Sequence, residues 1–103
     1  MKFEYNLSDL IKRKRYSITL SIPKSSKWRG IYALFYQGKL VYVGQTTNFG
    51  YRLSTHRRKY GYELEYSFYK LPGASVKKLL LYEAIYINYY NPPFNVDTKV
   101  YNK

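Results

Sequence analysis

The spacing of hydrophobic and polar positions changes several times along the chain, and each change predicts an element. Gly30-Ile31-Tyr32-Ala33-Leu34-Phe35-Tyr36 and Lys39-Leu40-Val41-Tyr42-Val43 are runs rich in β-branched and aromatic residues. They flank Gln37-Gly38, which marks a β-hairpin. Asn48 to Tyr60 reads as a helix, with Asn48 as its cap and Gly61 as its stop. Tyr62 to Leu71 alternates strictly, predicting a strand with Tyr62, Leu64, Tyr66 and Phe68 on one face; Pro72-Gly73 ends it. Ser75 caps a second helix from Val76 to about Tyr90, which Pro92-Pro93 terminates. Ahead of all this, Ser8 caps a short helix through Ile11, Tyr16 to Ile22 alternates like a strand, and Ser25-Ser26 reads as a loop. The order hairpin, helix, strand, helix predicts a small α/β fold with an antiparallel sheet. At 103 residues the chain has room for one domain and one modest core.

The hairpin loop decides which side chains share a face. A two-residue loop would pair Tyr36 with Lys39 and put Tyr32 and Tyr42 on opposite faces. A three-residue loop, Gln37 to Lys39, would pair Tyr36 with Leu40 and bring Tyr32 and Tyr42 to the same face. Glycine in the loop suits a three-residue turn with a bulge, so the longer loop is expected.

The second helix carries an anomaly. Val76, Leu79, Leu80, Ile87 and Tyr90 fall at helical spacing and predict a buried face, and Glu83 lies within it. A carboxylate on an apolar face is costly unless paired, protonated or bound to a cation. One reading is an ion pair with an arginine of a neighbouring helix. The other is a ligand for a hard divalent ion, since Mg²⁺ is commonly held by one or two carboxylates with water and substrate phosphate. On the first helix Arg52 and His56, the only histidine, lie four residues apart and share a face.

Composition narrows the chemistry. Eighteen Lys+Arg against six Asp+Glu leave a charge of +12, gathered as Lys12-Arg13-Lys14-Arg15, as Lys24, Lys27 and Arg29, and as Arg57-Arg58-Lys59. Such patches attract polyanions, nucleic acid above all, and 15 tyrosines supply rings for stacking and hydroxyls for phosphate. With no cysteine, a disulfide framework, a thiolate zinc site and a cysteine nucleophile are excluded. No apolar run reaches the length of a membrane span, and the start lacks a signal peptide's apolar stretch. The chain therefore reads as complete and cytoplasmic, without a membrane partner.

Gly30-Ile31-Tyr32, followed after nine residues by Tyr42-Val43-Gly44, resembles the signature of the GIY-YIG nuclease superfamily. Arg52 lies ten residues beyond the second tyrosine, His56 follows on the next turn, Glu83 sits on a late helix, and Asn91-Pro92-Pro93-Phe94-Asn95 resembles the family's closing Pro-Pro-x-Asn. The resemblance covers about residues 30–96. It implies an α+β domain with a three-stranded antiparallel sheet flanked by helices, at residues 30–103, behind a basic extension at 1–29. It also implies a metal-dependent endonuclease acting on DNA, of a kind found in bacterial, phage or viral settings. Glu83 would be the metal ligand for Mg²⁺ or Mn²⁺. Tyr32 would act as general base or position the water, and Tyr42 would be a second hydroxyl at the site. Arg52 would stabilise the scissile phosphate, His56 would assist proton transfer or hold a tyrosine, and Asn95 would support the site through hydrogen bonds.

For a tyrosine to serve as a base near neutral pH, cations such as Arg52 or the metal would have to lower its ordinary value near 10. Gln45 stands where some relatives have lysine. Relatives commonly carry a separate DNA-binding module, and here Lys12, Arg13, Lys14, Arg15, Lys27, Arg29, Arg57, Arg58 and Lys59 would contact phosphates instead. One site per chain implies a homodimer, or two successive nicks, if both strands are cut. The competing readings are a non-catalytic nucleic-acid-binding module on the same scaffold and a basic structural protein.

Overall fold

A computed structural model describes residues 7–19 and 27–95. The elements are α1 (Leu7–Lys12), β1 (Tyr16–Ser17), β2 (Gly30–Tyr36), β3 (Lys39–Thr46), α2 (Phe49–Tyr60), β4 (Leu64–Lys70) and α3 (Val76–Tyr90), with a closing 3-10 turn at Pro93–Asn95. The sheet is antiparallel, but it has four strands rather than three, in the order β1-β4-β2-β3. The added strand comes from the basic leader, where Tyr16 pairs with Tyr66 and Ser17 with Glu65. The strand ends after two residues, where Ile18 and Thr19 form a turn, although the Ile18 N–H still donates to the Leu64 carbonyl at 2.9 Å; the rest of the expected strand to Ile22, and the Ser25-Ser26 loop, lie outside the described residues. Ser8 lies within α1 rather than capping it.

The leader also enters the core. Leu10 and Ile18 are fully buried, one on each side of the sheet, and Ser67 Oγ donates to the Leu10 carbonyl at 2.7 Å. One side of the sheet, with Ile31, Ala33, Phe35 and Val43, is covered by α1 and by α3 through Leu79, Tyr82, Tyr86 and Ile87. On the other, Tyr32, Leu34, Tyr42, Leu64 and Tyr66 lie under α2 through Phe49 and Leu53. Tyr62, assigned to this face from the alternation, lies ahead of β4 and is exposed.

The hairpin differs from expectation in an instructive way. Its loop has two residues, Gln37 and Gly38, with φ of 50° and 80°, and Tyr36 pairs with Lys39. Two consecutive left-handed residues match the right-handed twist of the strands, which makes this short turn the favoured one. Parity is then reset by a bulge. Phe35 pairs with Leu40 but Leu34 pairs with Tyr42, leaving Val41 as the extra residue, and Val41 and Tyr42 consequently both join the α2-side core. Tyr32 and Tyr42 share a face after all, because of the bulge and not because of the loop length.

Both helices beside the site start as expected. Asn48 accepts from the Tyr51 N–H at 3.2 Å, and Ser75 accepts from the Lys78 N–H at 3.1 Å. The buried face of α3 is rotated from the aliphatic stripe. Val76 and Leu80 are about half exposed, while Tyr82 and Tyr86 are buried. Tyrosine rings pack as well as aliphatic chains while their hydroxyls reach polar surroundings, so they outcompete leucine here. Glu83 stays within the buried face, half-buried between Leu79 and Ile87, each one turn away.

Candidate active site

The two glycines of the Gly-Ile-Tyr and Tyr-Val-Gly triplets answer to close approaches. A Cβ on Gly30 would lie 2.0 Å from the Tyr69 carbonyl oxygen of β4. A Cβ on Gly44 would lie 2.5 Å from the Tyr32 hydroxyl, because the Tyr32 ring reaches across β3 at that point. The first glycine lets two strands meet; the second makes room for the Tyr32 ring.

Tyr32 is wholly buried, and its hydroxyl is hydrogen-bonded to His56 Nε2 at 2.6 Å. Its ring lies 6.0 Å from that of Tyr42, which in turn is 4.9 Å from the His56 imidazole. Arg52, His56 and Tyr60 follow one another at four-residue spacing on α2. The stack continues from His56 to Tyr60 at 5.8 Å and from Tyr60 to Phe94 at 4.8 Å, tying the closing turn to the site. Tyr60 and Phe94 were not picked out from the sequence, although the spacing of Tyr60 from Arg52 and His56 was the available signal.

The outer edge of β3 is held by two side chains. Asn95 Nδ2 donates to the Val43 carbonyl at 3.0 Å, and its Oδ1 accepts from the Val43 N–H at 2.9 Å. Glu83 Oε2 accepts from the Gln45 N–H at 2.9 Å. An edge strand leaves such groups open, and here the C-terminal third of the chain closes them. Asn95 thus bonds to the backbone between Tyr42 and Gly44, a supporting position. Position 45 takes part through its backbone N–H, which any residue but proline would supply. Glu83 bonds to backbone, which the ion-pair reading had not foreseen.

Charge states follow from burial and neighbours. Burial, then the adjacent Tyr42, raises Tyr32 well above the usual tyrosine value despite the counteracting Arg52 guanidinium. Burial raises Tyr42 as well, again against Arg52. The expected lowering of a tyrosine by Arg52 is present, but desolvation outweighs it. Burial opposes the charge of Arg52, yet Tyr32, Tyr42 and Glu83 outweigh that and raise it. His56 is lowered to about 4 by burial and by the cations Arg52 and Lys59. Burial raises Glu83, opposed by the Gln45 N–H and by Arg52. At neutral pH the site therefore holds two protonated tyrosines, a neutral imidazole and a fixed guanidinium. His56 Nδ1 is buried without a hydrogen-bond partner among the described residues.

An open groove of about 350 Å³ lies beside these residues, lined by Gln45, Thr46, Thr47, Asn48, Tyr51 and Arg52. Among the described residues no group of three or more His, Cys, Asp or Glu gathers to hold a metal. Glu83 offers one carboxylate oxygen to Gln45 and makes no other hydrogen bond among the described residues. A half-buried carboxylate with a free oxygen fits a divalent ion that keeps most of its water shell and takes one protein ligand.

The basic residues are less uniform than their clustering suggested. The Arg15 guanidinium lies 3.8 Å from the centre of the Phe35 ring, that of Arg13 lies 4.4 Å from the centre of the Tyr69 ring, and Lys14 and Lys59 lie over Tyr16 and Tyr60. Arg29 donates to the Ala74 carbonyl, and Arg57 donates to the Ile18 carbonyl at 2.9 Å. Lys12, Lys27 and Arg58 are exposed. Among the described residues no helix is long and apolar enough to cross a membrane.

No protein-family model matches the chain, nor does any curated protein. Among solved structures it is similar to the N-terminal GIY-YIG endonuclease domain of UvrC from Thermotoga maritima bound to its catalytic divalent cation, magnesium. The identity is 20%, the TM-score 0.56, and the match covers 77% of this chain and 91% of that one. A tyrosine-to-phenylalanine point mutant of the same domain, also with its catalytic divalent cation, matches with the same identity and TM-score over 77% and 90%. With the antiparallel sheet, the flanking helices and the glycine-dependent strand contacts described above, the chain has the GIY-YIG fold.

Proposed function

We propose that this protein is a Mg²⁺-dependent endonuclease that hydrolyses DNA phosphodiester bonds. The observation that carries the reading is the clustering of Tyr32, Tyr42, Arg52 and His56, with Glu83 of α3 close enough to act electrostatically on Tyr42 and Arg52. Attack on a phosphodiester needs a positioned water, a route for its proton and charge neutralisation at phosphorus.

In this reading the water's proton passes to the coupled Tyr32–Tyr42 pair, and Tyr32 passes its own proton to His56 Nε2. That requires His56 to be neutral, as its lowered value ensures. Arg52 holds the non-bridging phosphate oxygens. A substrate phosphate raises His56 in turn, since nearby negative charge favours the imidazolium. A divalent ion on Glu83, Mg²⁺ or Mn²⁺, would neutralise developing charge on the phosphoryl and leaving oxygens. Asn95 and the Tyr60–Phe94 stack act one layer out, by fixing β3 and α2.

The bond from the Gln45 N–H gives Glu83 a structural use as well, which is what a non-catalytic DNA-binding module would keep. Plasmid nicking with and without Mg²⁺, wild type beside Glu83→Gln, separates the two. Glutamine can still accept from the Gln45 N–H but cannot serve as an anionic ligand. The nuclease reading expects nicking only by wild type with metal, with the variant slower by on the order of 10³-fold or more. Equal nicking by both would overturn the role of Glu83. DNA binding by both without nicking would leave a binding module.

A further inference from the structure

On the side of α2 away from β3, the same sheet face carries a second concavity of about 500 Å³. The register puts it there: Phe68 pairs with Tyr32 and Tyr66 with Leu34, so their side chains stand on the face that bears the site. Tyr16 joins them through its pairing with Tyr66. Tyr16, Trp28, Tyr66 and Phe68 form its aromatic walls, with Trp28 5.6 Å from Phe68 and Tyr16 5.7 Å from Tyr66. Its rim is cationic, formed by Arg13, Lys14 and Lys70, and among the described residues no acidic side chain lines it. Lys70 lies over Trp28 at 4.3 Å, and an adjoining hollow bordered by Trp28 and Lys70 extends the positive edge to Lys27 and Arg29.

Hydrophobic packing explains buried rings but not this arrangement. Tyr16 is 41% exposed and Trp28 is partly exposed, so their rings face an open space that is kept positive at its margin. Flat aromatic walls fit a planar π-system, and a ring of cations fits an anion attached to it. A nucleotide combines the two. A paired base has both faces covered by its neighbours, so only an unpaired or extruded base can enter a concave aromatic site. The size lies within the range of small-ligand pockets.

We infer that the groove walled by Tyr16, Trp28, Tyr66 and Phe68 takes one unpaired nucleotide of the DNA, its base between the rings and its phosphate at Lys14 and Lys70. This rests on the DNA-processing reading and gives it a preference for gapped, bulged or frayed substrates. Phe49 links the two regions, with its ring 4.4 Å from Phe68 and 5.0 Å from Tyr32. The unpaired nucleotide thus lies across α2 from the site of cleavage.

Trp28 is the only tryptophan, so tryptophan fluorescence reports on this groove and the hollow beside it. The test uses the full chain in EDTA, with a duplex bearing a central two-thymine bulge and the fully paired duplex of the same sequence. The bulged duplex should quench Trp28 and bind roughly tenfold tighter, the scale of one stacked base. Tyr16→Ala and, separately, Lys70→Ala should remove most of that preference, while Tyr16→Phe keeps it. Equal affinity for both duplexes without quenching overturns the groove assignment, as does a preference that survives both alanine variants. The two readings fail separately. Quenching without cleavage of any DNA refutes the nuclease and keeps the groove, whereas Mg²⁺-dependent cleavage without quenching does the reverse.

Discussion

The two sides of the sheet are built on different principles. The side under α1 and α3 is mostly aliphatic at its centre, with Leu10, Ile31, Val43, Leu79 and Ile87 around Phe35. The side under α2 is aromatic, with Tyr32, Tyr42, Phe49 and Tyr66 at its core and His56 buried against the tyrosines. The first maximises apolar burial. Both sides take in tyrosine rings, Tyr82 and Tyr86 on the first, but the second also buries an imidazole whose Nδ1 has no hydrogen-bond partner among the described residues, which lowers stability unless satisfied.

The sharpest way to break this division is at the motif glycines. Gly30→Ala forces a methyl into the backbone of β4, where nothing can move aside, and should cost more than about 4 kcal/mol, into the severe range. Gly44→Ala meets a side chain instead, so it should leave more folded protein and displace the Tyr32 hydroxyl. Urea unfolding beside a nicking assay distinguishes them. Equal loss of fold in both would mean that Gly44 is structural too.

A second pair sets face against face. Phe35→Ala should lose about 3–5 kcal/mol of stability, with nicking falling only as the folded fraction falls. Tyr32→Phe should lose no more than about 1.5 kcal/mol, the scale of its hydrogen bond to His56, yet slow nicking by on the order of 10²–10⁴-fold. If Tyr32→Phe nicks at the wild-type rate, the proton route does not run through that hydroxyl.

Arg52→Ala should reduce transition-state stabilisation by about 2–4 kcal/mol, measured as the loss in kcat/KM. Arg52→Lys should recover part of this, because the charge returns without the planar fork.

The smallest effect is a pH dependence of folding. His56 titrates at about 4 in the folded chain and near 6.5 unfolded, so the unfolded state binds more protons between those values. Stability should be full above about pH 6.5 and fall on acidification towards 4, by on the order of 3 kcal/mol. Glu83, raised by burial, gains stability on acidification and works in the opposite direction. The comparison is therefore the difference between wild type and His56→Phe in urea midpoints at pH 7 and pH 4. A difference that does not change with pH would show that His56 is not held neutral by burial.

Local signals made much of this legible in advance. The caps Asn48 and Ser75, the stop at Gly61 and the alternation around Tyr66 act within a few residues, so α2, α3 and β4 could be read with small errors at their ends. Helical spacing put Arg52 and His56 on one face and singled out Glu83 on an apolar stripe, whereas the full set with Tyr32, Tyr42 and Asn95 could be named only through the resemblance to the GIY-YIG signature. Tertiary structure decided what depends on distant partners. The Val41 bulge, and not the loop, put the two tyrosines on one face. Pairing with β4 turned part of the leader into a fourth strand, and open groups on the β3 edge drew Glu83 and Asn95. The protonation order was beyond the sequence for the same reason. Arg52 pulls the tyrosines down, but burial, a property of the folded whole, pushes them up further.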